Sequence, residues 1–92
     1  MTSTLTDSNF PRLASGCRWG GTEEEPVVLF PEGAIRVQGT GLLILQLCDG
    51  ERSLADIVKE LESQFILAQP GKIRDDVIAF LEQLHEKRIV DY

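Results

Sequence analysis

The chain has 92 residues with nine Lys plus Arg against fifteen Asp plus Glu, a net charge of −6 at pH 7. That length supports one hydrophobic core and excludes a second, and burial of only roughly 60 to 65% of the unfolded surface favours a binding module over a dissected catalytic cleft. The acidic balance disfavours nucleic acid and anionic lipid as partners, no apolar run reaches the ~20 residues of a membrane helix, and the opening MTSTLTDSNFPRL lacks the basic flank and apolar block of a secretion signal, so a cytoplasmic protein with no membrane partner is expected.

Residues 1–13 are rich in Ser and Thr and read as a mobile N-terminal arm, leaving residues 14–92 as a single domain. Cys17-Arg18-Trp19 reads as a very short strand ahead of an acidic loop at Glu23 to Glu25. Val27 to Phe30 and Ala34 to Gln38 then form a hairpin around the turn residues Pro31-Glu32-Gly33. On its second strand Ile35 and Val37 share one face, and Ala34, Arg36 and Gln38 the other.

Three helices are expected next. The first, about Thr40 to Cys48 with Thr40 as N-cap, is apolar nearly all round, as in a helix buried on several sides. Asp49-Gly50 is a turn pair, and Ser53 followed by Asp56 resembles a reciprocal N-cap. The second helix, about Leu54 to Phe65, places Leu54, Ile57, Val58, Leu61 and Phe65 on one stripe. Pro70-Gly71 breaks the chain before a third helix, from Arg74 or Asp75 to Lys87, and the apolar Ile89-Val90 folds back on the core. Strands first and helices after give an α+β fold: a small three-stranded antiparallel sheet followed by a three-helix bundle, like a winged helix-turn-helix.

Catalysis is poorly supplied. His85 is the only histidine, so Ser/His/Asp and Cys/His sets depend on it, and one histidine with two distant thiols cannot make four zinc ligands. Asp75-Asp76 reads as helix-start chemistry and Cys17 and Cys48 as reduced thiols. A protein that is not an enzyme, needing no metal or cofactor, is expected. The alternative, a winged-helix DNA-binding regulator, asks for a basic third helix. From Lys72 to Arg88 the four basic residues are matched by four acidic ones. What remains is an edge: Ala34 to Gln38 ends a three-stranded sheet, and such an edge can capture an extended peptide. Ile78 and Leu81 on the third helix are candidates for one wall of the groove.

Arg18-Trp19, then LFPEGAIRVQ at 29–38, then CDGERSLADIV at 48–58 resemble the pyrroloquinoline quinone biosynthesis protein D (PqqD) family, and the likeness covers about residues 16–92. Two places depart from it: Gln38-Gly39-Thr40-Gly41, where the family usually has Asn-x-Ser/Thr-Ala, and Arg88-Ile89-Val90 in place of Arg-Gly-apolar. The resemblance implies a peptide chaperone of ribosomal peptide modification pathways. Such a protein holds a precursor peptide as an added strand between the third strand and third helix, and presents it to a radical S-adenosylmethionine peptide-modifying enzyme. By position it implies a site of Ala34, Ile35, Arg36, Val37 and Gln38, with Arg74, Ile78, Leu81, Glu82 and His85 opposite. Both a monomer and a homodimer, including one with exchanged N-terminal arms, fit this reading.

Overall fold

The computed structural model describes residues 5–65 and 71–92. Its elements in chain order are β1 (Arg12–Leu13), β2 (Arg18–Gly21), β3 (Pro26–Phe30), β4 (Gly33–Arg36), α1 (Gly39–Leu47), α2 (Leu54–Gln64), α3 (Lys72–Glu86) and β5 (Val90–Asp91). The fold is the expected α+β one: three helices and an antiparallel sheet in the order β2-β3-β4. Its register sets Trp19 against Val28 and Val28 against Ile35. Val28 is fully buried, so this row faces the helices; Arg18, Leu29 and Ala34, one residue along, face outward.

The core joins that sheet face to one stripe of each longer helix. Ile44 and Leu45 come from α1, Leu54, Ile57, Val58 and Leu61 from α2, and Val77, Leu81 and Leu84 from α3. The stripe expected on α2 is therefore the buried one, except that Phe65 lies at its C-cap and is exposed. The Ser53–Asp56 capping box is present in both directions, Ser53 Oγ accepting from the Asp56 N–H at 3.1 Å and Asp56 Oδ2 from the Ser53 N–H at 3.3 Å.

The turn before α2 is built by Asp49. Its Oδ1 accepts the N–H groups of Glu51 and Arg52 at 2.9 and 3.0 Å, and these bonds, that from Glu51 foremost, hold its carboxyl below the usual range. Gly50 follows at φ 79, a left-handed conformation that glycine adopts without steric cost.

Several boundaries differ from expectation. The N-cap of α1 is Gln38, without a side-chain cap bond, rather than Thr40, because an all-round apolar helix leaves no phase by which to find its start. Helix α3 begins at Lys72, with Gly71 as N-cap, so Asp75 falls inside the first turn and Asp76 pairs with Lys72 at 3.1 Å. Pro70 lies outside the described residues.

The arm expected over residues 1–13 is, in its described part, docked. β1 pairs with β5, Pro11 is buried, and the carbonyls of Asp7, Asn9 and Pro11 accept from Ala55, Leu54 and Gly50. Residues of low β propensity form no visible strand signal here; the pairing is made by backbone groups that any sequence carries.

Candidate functional site

The hydrogen bond from the Val37 N–H to the Pro26 carbonyl, 3.1 Å, sets the phase of β4. In an antiparallel ladder, residues alternate between facing the partner strand and facing away. Ile35 and Val37 thus point their backbone groups at β3, and Ala34, Arg36 and Gln38 point theirs outward. Gln38 remains extended at φ −152, ψ 167. Among the described residues no strand pairs with this outer side, so β4 and Gln38 together present three outward donors and two outward acceptors, the carbonyl of the N-cap residue Gln38 being taken by the first bond of α1.

Side chains alternate across the same strand. Ala34, Arg36 and Gln38 are exposed, Ile35 is half-buried against the core, and Val37 is 4% exposed and belongs to the core itself. Val37 therefore anchors the edge from beneath and offers neither side chain nor N–H to a guest.

The helix-side residues divide. Leu81 is 0% exposed and forms core, not wall. Arg74, Ile78, Glu82 and His85 fall along one stripe of α3, spaced four, four and three residues apart. Arg74 Nη1 donates to Asp7 Oδ1. His85 Nδ1 lies 3.1 Å from the Val90 carbonyl, which can only accept, so that nitrogen carries the proton; the ring centroid is 4.5 Å from that of Tyr92. This stripe is turned toward the N-terminal segment and β5.

The flank of α3 that reaches the corner after β4 bears Phe80, about 200° round the helix from Ile78. Its ring closes on Gly41 in the first turn of α1, and a Cβ there would lie 3.0 Å from Phe80 Cζ. Ile73, seven residues earlier, lies on the same line, and both are half-buried. The heptad spacing of these two residues was the available signal, but helical phase alone does not say which flank meets the sheet.

Other features weigh on function. Lys72 and Arg74, the basic groups at the start of α3, are both engaged by carboxylates, Asp76 and Asp7. A phosphate backbone would have to displace them. Cys17 and Cys48 are free thiols. Burial first, and Asp49 second, push the Cys48 thiol up to about 12, so it is no nucleophile. A shallow hollow of about 380 Å³ lies at one end of the sheet against Gly16, Cys17, Leu29 and Pro31, and β4 does not line it. No group of His, Cys, Asp and Glu among the described residues could hold a metal ion, and no described helix is long and apolar enough to cross a membrane.

Comparison with known proteins supplies a frame for this edge. Residues 25–90 match the family described as coenzyme PQQ synthesis protein D, PqqD. A protein of Rahnella aquatilis named PqqA binding protein is 34% identical over 91 residues, covering 97% of this chain and 94% of its own. One of the same name from Azotobacter vinelandii is 33% identical over 91 residues, with 97% of both chains covered. The solution NMR structure of the PqqD truncation of Methylobacterium extorquens PqqCD, described as a functional, stand-alone recognition element for ribosomally synthesized and post-translationally modified peptides, superimposes with a TM-score of 0.76. It is 27% identical, over 97% of this chain and 96% of that one.

Proposed function

The chain belongs to the PqqD family, and from that membership we propose that it is a non-catalytic carrier of the peptide PqqA, the precursor of pyrroloquinoline quinone, for which its relatives are named. The peptide adds as a strand to β4, and the loaded carrier presents it to a radical S-adenosylmethionine enzyme that modifies it. The observation that supports this most directly is the unpaired outer side of β4, where the backbone groups of Ala34, Arg36 and Gln38 have no partner strand among the described residues.

The physics of such a carrier needs no cofactor. Backbone hydrogen bonds give the added strand affinity, and pockets for alternate side chains give it selectivity. Ile35 and the Phe80–Ile73 flank of α3 are the apolar surface proposed for that role, with the Arg74, Ile78, Glu82 and His85 stripe turned elsewhere. The guest loses conformational freedom on docking, which offsets part of the contact energy. In return, a tethered substrate meets the enzyme at an effective concentration of ~mM.

Proline at position 36 tests the edge. Arg36 has an outward N–H, so Arg36→Pro removes one docking donor while leaving the ladder to β3 intact; Val37→Pro would instead delete the bond to Pro26. Amide shift mapping of the full chain with synthetic PqqA is expected to move Ala34, Arg36 and Gln38 together. Arg36→Pro is expected to weaken calorimetric binding at least about tenfold. Shifts confined to other elements, or unchanged affinity in Arg36→Pro, overturn strand addition to β4.

A further inference from the structure

Resting on the reading of β4 as the docking edge, we infer that the guest residue paired with Arg36 is acidic and its two neighbours are apolar, so that one ion pair on the outward face of the sheet selects the segment of peptide that docks. The outward positions of the three strands are Arg18, Gly20, Val27, Leu29, Ala34 and Arg36, without a carboxylate among them. Arg36 is exposed. Among the described residues Arg12, Arg52, Lys72 and Arg74 each pair with a carboxylate, and Arg36 does not. In a chain of net charge −6, this keeps a guanidinium available at the edge itself.

Strand geometry gives that guanidinium one neighbour. The guest residue directly opposite Arg36 places its side chain on Arg36's face, whether the guest runs antiparallel, where that residue is also the bonded one, or parallel, where its two neighbours make the bonds. The residues before and after it point to the other face, beside half-buried Ile35. A carboxylate flanked by apolar side chains satisfies both faces at once. The protein's overall negative field opposes an acidic guest at long range. Attraction must therefore come from the direct contact.

The test uses the full chain, its Arg36→Gln variant, synthetic PqqA, and PqqA in which every Asp and Glu is replaced by Asn and Gln. Arg36→Gln is expected to weaken calorimetric binding of the carboxylate peptide about two- to fivefold and to leave the amide peptide unaffected, with Arg36→Lys restoring part of the loss. If Arg36→Gln binds the carboxylate peptide as well as the parent does, or loses equally with both peptides, the ion pair is refuted. The amides of Ala34 and Gln38 separate the two levels. Their shifting in every combination without charge coupling sinks the ion pair alone, and their silence in every combination sinks the docking edge and the ion pair with it.

Discussion

Arg88 has φ 61, the left-handed region that few side chains adopt. It stands just past the end of α3, where the Arg88 N–H bonds the His85 carbonyl at 3.0 Å and the Ile89 N–H the Leu84 carbonyl at 2.9 Å. That pair of bonds is a Schellman cap, whose left-handed position glycine usually fills. The side chain of Arg88 is exposed and pairs with no carboxylate among the described residues. Arg88→Gly is therefore expected to stabilise the fold by about 0.5 to 1 kcal/mol, the steric relief exceeding glycine's extra unfolded freedom. A higher urea midpoint at unchanged slope would verify it, and a lower one would contradict it. Nothing in Lys87-Arg88-Ile89 announces this cap, since its usual glycine is missing. Ser53 and Asp56 did announce theirs, because both partners of that cap lie within four residues of sequence.

At the scale of elements, α2 shows how local and distant parts share one task. Its first four N–H groups are all satisfied: Leu54 by the Asn9 carbonyl at 2.9 Å, Ala55 by Asp7 at 3.3 Å, Asp56 by Ser53 Oγ at 3.1 Å, and Ile57 by the Ser53 carbonyl at 3.0 Å. Ser53→Ala removes one of these acceptors and is expected to cost about 1 kcal/mol. For a domain of this size that lowers the melting temperature by roughly 4 to 8 °C, measurable by circular dichroism. The α2 stripe and the hairpin were legible because a one-sided burial pattern carries its own period. The start of α1 was not, since apolar residues on every side erase that period. For the proposed site, the strand offered as its floor, β4, was readable from the Pro31-Glu32-Gly33 turn. The wall proposed for it was not: Ile78 and Phe80 are equally apolar, and only the Phe80–Gly41 contact tells which flank meets the first turn of α1.

For the molecule as a whole, the N-terminal segment is structural. Leu13 pairs with Val90, the Ala14 N–H bonds the Ile89 carbonyl at 2.8 Å, and Asp7 pairs with Arg74. Ile89 and Val90 are fully or almost fully buried. Deleting residues 1–13 should expose them and return the Leu54 and Ala55 donors to water, a loss of about 2 to 4 kcal/mol. Chemical denaturation would show it as a reduced midpoint, and an unchanged midpoint would reduce the segment to decoration. Sequence periodicity could not reveal a two-residue ribbon joining residues almost eighty positions apart. The bare rim of β4 carries a last consequence. An uncovered strand is a template for any extended chain, a sibling molecule included, and is thereby a seed for fibrils. Two such rims meeting antiparallel about Arg36 would set guanidinium against guanidinium, so the charge that welcomes a carboxylate also discourages self-polymerisation.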